Sequence, residues 1–182
     1  MKFVKIVLIV ATIIYVSGCA SGAKMENMTY QGDKKVYSEE LHHNLEVSKI
    51  SGGQETNPLW TSEISSEAFS GAVKQSLLAE GLLSEEGRYK LVVEMVKVEQ
   101  PFFGLDLEVT THVQYILTDS KNNSIVFDET IIAPHTATFS DSAIAIKRLR
   151  LANEGAGNKI IEAFLEKLSA PNIDKNEISV AE

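Results

Sequence analysis

LEVTTHVQYILT, Leu107 to Thr118, alternates with a period of two. Leu107, Val109, Thr111, Val113, Tyr115 and Leu117 share one side, and Glu108, Thr110, His112 and Gln114 take the other. Successive side chains of a strand point to opposite faces, so this spacing predicts a strand with one face in a core and one in solvent. Half-wet strands belong to antiparallel sheets, because parallel sheets are covered on both faces and read as unbroken apolar runs.

The neighbours on either side extend the pattern. Ser120-Lys121-Asn122-Asn123 supplies hairpin-turn residues, and Ile125 to Phe139 reads as the next long strand, with a bend expected near Pro134, which has no N–H for a ladder. Upstream, YKLVVEMVKVE (Tyr89 to Glu99) puts Leu91, Val93 and Met95 on one face and Val92, Val96 and Val98 on the other. Leu45, Val47 and Ile50 mark a first strand, stopped by Ser51-Gly52-Gly53.

Two helices flank the meander. Ser62 as N-cap and Glu63 in the first turn open one helix, in which Ile64, Ala68, Phe69, Ala72, Val73 and Leu77 recur at helical spacing and Gly81 closes the element. Ser140, Asp141 and Ser142 offer caps for a longer helix from Ser142 to Ser169, whose stripe is Ile146, Leu149, Asn153, Ala156, Ile160, Ala163, Phe164 and Leu168. Gly155 and Gly157 lower helix propensity by about 1 kcal/mol each, so their small size is expected to let helix and sheet approach closely. The order β-α-β-β-β-α predicts an α+β two-layer sandwich, a mainly antiparallel four-stranded sheet with both helices on its apolar face.

The ends of the chain read differently. MKFVKIVLIVATIIYV has two lysines and then an apolar run from Ile6 to Val16, too short for a hydrocarbon core of ~30 Å, which is the layout of a secretory signal. Ser17, Gly18 and Cys19, the only cysteine, follow. This resembles the lipobox of bacterial lipoproteins, which implies cleavage after residue 18, a diacylglyceryl group on the Cys19 sulfur and N-acylation, palmitate being a usual chain. With Ala20 and Ser21 rather than aspartate after the cysteine, the resemblance implies the periplasmic face of a Gram-negative outer membrane. The expected organisation is a signal peptide over 1–18, a lipidated N-terminus and tether over 19–43, a domain over 44–170 and a polar tail over 171–182. A flexible tether of that length would reach about 25 Å, with Tyr30, Val36, Tyr37 and Leu41 as places where it could dock.

Composition and motifs narrow the function classes. The chain carries 17 Lys+Arg against 25 Asp+Glu, a net charge of −8, and loss of Lys2 and Lys5 with the leader makes the mature protein more acidic still. Phosphate backbones and anionic lipid surfaces are poor partners for such a balance, and no nucleic acid is expected. His42, His43, His112 and His135 lack metal-ligand spacing, and no cofactor motif is present. His135, Ser140 and Asp141 form a triad in composition only.

Three stretches stand out for binding. QETNPLWTS holds the only tryptophan, Trp60, which either covers the core edge or projects. EQPFFGLDLEV puts Phe102 and Phe103 in a strand connection, where they fold back over the sheet or contact a partner or membrane. IKRLRLANEGAG gathers Lys147, Arg148 and Arg150, either a solvated helix face or a charged surface for an anionic partner.

TNPLW, QPFFGLDLEV, TATFSDS and RLRLANEG together resemble a family of small Gram-negative outer-membrane lipoproteins, some of whose members are labelled UDP-N-acetylglucosamine acyltransferase. The fold resembles that of envelope-assembly lipoproteins of the lipopolysaccharide-assembly and penicillin-binding-protein-activator types. No six-residue repeat of the kind the lipid A acyltransferase has is present. The role of that family is undefined, and the expectation for this chain is a non-enzymatic, membrane-anchored protein whose periplasmic domain binds another envelope component, most simply a protein. The competing expectation is an enzyme or carrier for envelope lipid or glycan, which requires an apolar pocket between sheet and helices.

Overall fold

The computed structural model describes residues 20–169; the expected leader, Cys19 and the tail over 171–182 lie outside them. Four strands form one open sheet in sequential order: β1, Leu45–Ser51; β2, Tyr89–Glu99; β3, Leu107–Asp119; and β4, Ser124–Ala137. β2, β3 and β4 make an antiparallel meander. β1 pairs with β2 in parallel, because the chain between them returns through a helix rather than a hairpin. The helices are α1, Met25–Met28; α2, Ser66–Ala79; and α3, Ala145–Leu168.

The alternation of β3 is realised in full, with Leu107, Val109, Thr111, Val113, Tyr115 and Leu117 all buried. Tyr115 stacks on Phe164 of α3 with ring centroids 4.1 Å apart, and Phe127 of β4 meets Phe164 edge-on at 5.8 Å. Phe69, Val73 and Leu77 of α2 join Leu91, Val93 and Met95 of β2 in the same core. Leu107, Val109 and Ala137 form a smaller core with Leu149, Ala152 and Ala156. This is the expected α+β arrangement. Pro134 stays within β4, opposite Thr110, on an edge strand where a missing N–H is tolerated.

Helix boundaries moved where side chains found better partners. α2 is capped by Ser65, whose Oγ accepts from the Ala68 N–H at 3.2 Å, rather than by Ser62. Ser62 is instead buried, its hydroxyl donating to the Ser21 carbonyl at 2.7 Å. Gly81 ends α2 in the left-handed region at φ +74°, where a Cβ would be strained. α3 starts at Ala145 with no side-chain cap, because Asp141 accepts from the Thr138 N–H and hydroxyl instead.

The expected tether is part of the fold. Ala20, Ala23, Met28, Tyr30, Tyr37 and Leu41 are buried, whereas Val36 is exposed. A Cβ on Gly71 of α2 would lie 2.2 Å from the Met25 sulfur, and one on Gly157 of α3 would lie 2.6 Å from the Met28 sulfur. Gly157 therefore admits the N-terminal segment, not the sheet; Gly155 alone makes the expected approach, with the His135 ring of β4 where its Cβ would stand. Buried acids fix the segment further. Glu80 accepts from the Lys35 N–H at 3.0 Å and the Tyr37 hydroxyl at 2.8 Å. Glu154 accepts from the N–H of Lys24, the residue that precedes α1, at 3.1 Å and from the Asn27 amide at 2.8 Å.

Candidate functional site

The four stretches TNPLW, QPFFGLDLEV, TATFSDS and RLRLANEG meet at one end of the sheet. β2 finishes there, β3 begins, β4 finishes and α3 starts, so the loops over 52–65, 100–106 and 138–144 lie together. Polar side chains tie them. Gln100 accepts from the Thr61 hydroxyl at 3.2 Å, and its amide nitrogen lies 3.0 Å from the carbonyl of Ser62 and 3.0 Å from Asn153 Oδ1. Asn153, fully buried on α3, donates to the same Ser62 carbonyl at 2.7 Å. Asp106 accepts from the Phe139 N–H at 3.1 Å, joining the second and third loops.

Arg148 works inside this arrangement, which corrects its expected place on a charged surface. It is 3% exposed; its guanidinium donates to the carbonyls of Ser142 and Gly104 and lies 5.6 Å from the Phe139 ring centroid. A buried cation must have such acceptors, since desolvation without them costs several kcal/mol. Arg150 is also largely covered, donating to the Ser21 hydroxyl at 2.6 Å and facing Glu154 at 3.4 Å. Lys147 is the exposed member of the trio.

What projects is apolar. Asn57 folds a tight turn, accepting from the N–H groups of Leu59, Trp60 and Thr61 at 3.0 to 3.2 Å. The turn throws Leu59 and Trp60 outward, each 79% exposed. Phe102 is fully exposed, Phe103 is 90% exposed, and Leu105 is exposed beside them. Trp60 therefore does not cover the core, and the two phenylalanines do not fold back over the sheet. Phe139 and Ile144 add half-exposed apolar surface from the third loop. Neither Asn57 to Trp60 nor Pro101 to Leu105 contains a charged residue. Sequence inspection found three members of this rim. It missed Leu59, Leu105 and Gln100, and it placed Asn153 on the buried helix stripe without the partners that only the assembled elements supply.

Ala20, the first described residue, lies at the same end. The Ala20 N–H donates to the Pro58 carbonyl at 2.9 Å, and the Ala23 N–H to the Glu63 carbonyl at 2.9 Å.

Asp141 and His135 are both shifted by their surroundings. Asp141 is held below the usual carboxylate range, first by the Thr138 N–H and then by its hydroxyl. His135 is lowered, chiefly by burial and then by Lys159. The space between sheet and helices is filled by Phe69, Tyr115 and Phe164. Open grooves lie outside that layer, one of about 410 Å³ lined by polar groups including Glu26, Asn27, Gln31, Asn158 and Glu162 and another of about 320 Å³ lined by Glu46, Lys74 and Glu85 among others. Among the described residues no helix is long and apolar enough to cross a membrane.

No protein-family model matches the chain, and no curated protein is similar to it in sequence. Its fold is similar to that of XCC0632 from Xanthomonas campestris, a DUF330 protein, with a TM-score of 0.56 at 11% identity over 83% of this chain and 98% of that one. A minor lipoprotein from Acinetobacter baumannii aligns with a TM-score of 0.49 at 11% identity, over 71% of this chain and 94% of that one. Lipoprotein GNA1162 from Neisseria meningitidis gives 0.38 at 12% identity, over 68% and 94%.

Proposed function

We propose that this protein is a lipoprotein of the Gram-negative outer membrane, anchored through acyl chains on Cys19. Its periplasmic domain binds another envelope component rather than catalysing a reaction. The lipobox-like Ser17-Gly18-Cys19 supports the anchor. The observation that carries the binding role is the rim of Leu59, Trp60, Phe102, Phe103 and Leu105, held outward by a buried polar network. Large apolar side chains grouped on a monomer surface mark interaction sites. A carrier or acyltransferase needs an apolar chamber between the layers, and aromatic rings occupy that space.

The test is photocrosslinking in intact cells from a probe at position 103, with metabolic palmitate labelling of wild type and Cys19→Ala. Label on wild type but not on the variant, together with crosslinks that Phe102→Ser with Trp60→Ser removes while circular dichroism is unchanged, supports the reading. A wild type without label, or crosslinks that persist in the folded variant, would sink it.

A further inference from the structure

The occupant of the apolar rim follows from where the chain enters the domain. Had residues 20–43 been a flexible leash, an acyl anchor on Cys19 would have left the domain free to stand about 25 Å from the lipid. Ala20 is instead buried and hydrogen-bonded to Pro58. Ser21 is held on both sides, its carbonyl by Ser62 and its hydroxyl by Arg150. Cys19 is peptide-bonded to Ala20, so its Cα lies about 3.8 Å from that of Ala20. Pro58 immediately precedes Leu59 and Trp60. Acyl chains on that residue enter a bilayer beside the rim, with no slack to hold it away.

We propose that the rim formed by Leu59, Trp60, Phe102, Phe103 and Leu105 seats in the interfacial layer of the phospholipid bilayer that receives the Cys19 acyl chains. The domain then rests on the membrane in one orientation. This deepens the reading above and rests on lipidation of Cys19. The chemistry of the rim fits a lipid surface. Its two projecting turns are uncharged, and tryptophan is favoured at the headgroup level, where its ring is apolar and its N–H is wet. Acidic Asp106 and Asp141 flank the rim and are exposed, but each already accepts a backbone hydrogen bond. A protein groove could accept the same side chains, but it would have to share the site with the anchor. Covalent acyl chains and an adjacent apolar surface act as two membrane signals, of which the first makes the second effectively intramolecular.

The only tryptophan lies on the rim and reports on it directly. Full-length lipoprotein purified from cells is placed in liposomes of phosphatidylethanolamine and phosphatidylglycerol, with and without acyl-brominated lipid. Mass spectrometry of the N-terminal peptide reads lipidation. The expected result is that bromolipid removes at least half of the Trp60 emission, and that Phe102→Ser with Phe103→Ser reduces the quenching severalfold while the protein stays on the liposomes. A lipidated wild type whose Trp60 is not quenched overturns the proposal whatever the variant does. It leaves the envelope-lipoprotein reading standing and turns the rim toward a protein. Equal quenching in the variant, checked as folded by circular dichroism, also overturns it, since the leash alone then brings the ring to the lipid. A bare Cys19 sulfur removes both readings.

Discussion

Gly155 has no side chain, and the imidazole of His135 occupies the place one would take, 2.0 Å from an added Cβ. Alanine there gains about 1 kcal/mol of helix propensity, yet overpacking costs about 1 to 3 kcal/mol. The clash should win, because the ring is part of β4 and cannot swing away like the tip of a long side chain. We expect Gly155→Ala to lower unfolding free energy in urea by about 1 to 2 kcal/mol. Adding His135→Ala should reduce the penalty that the Gly155 change imposes. If the two changes are additive, ring contact is not why residue 155 is glycine. The same scale explains why the basic trio misled. Lys147, Arg148 and Arg150 look alike in sequence, but only the fold distinguishes the exposed one from two that are tied to carbonyls, a hydroxyl and a carboxylate.

The ends of β2 and β3 are joined by charge. Arg88 precedes β2 and donates from Nε to Asp119 at 2.7 Å, with a second contact from Nη2 to the other carboxylate oxygen. The Arg88 bonds first, and the Lys121 N–H besides, lower Asp119 to about 2. A carboxylate lowered in the folded state contributes stability above its unfolded value of 3.8, and that contribution is lost as pH falls through about 2. Acid titration of stability should therefore be steeper between pH 4 and 2 for wild type than for Asp119→Asn, and parallel curves would refute the assignment. The strands themselves were legible in sequence, since period-two alternation is a local signal. The N-terminal segment was not. Its apolar residues follow no period, and their partners, Gly71, Ser76, Glu80, Glu154 and Gly157, are scattered over two distant helices.

Across the whole molecule, Phe164 links the layers, stacking on Tyr115 of β3 and meeting Phe127 of β4. Both rings of the stack are essentially inaccessible. Phe164→Ala should cost about 3 to 5 kcal/mol, the range for deleting a buried aromatic ring, measured as a fall in the urea midpoint at constant slope. A loss below about 1 kcal/mol would mean that the layers repack around the gap. Among the described residues that core fills the space between sheet and helices with Phe69, Tyr115 and Phe164. It places the apolar surface at the loop end instead, where Gln100, Arg148 and Asn153 brace the turns from inside.

From the chain alone came the α+β order, the inward face of β3, the lipobox-like Cys19 and the oddity of Trp60, Phe102 and Phe103. Each rests on neighbours in sequence, through alternation, helical period or adjacency. Which aromatics face water, which arginines are buried and whether residues 20–43 hang free depend on contacts between segments up to 130 residues apart. Those contacts form only when the sheet and α3 are assembled. Packing and desolvation across that distance leave no periodic trace in the chain, so only the tertiary structure decided them.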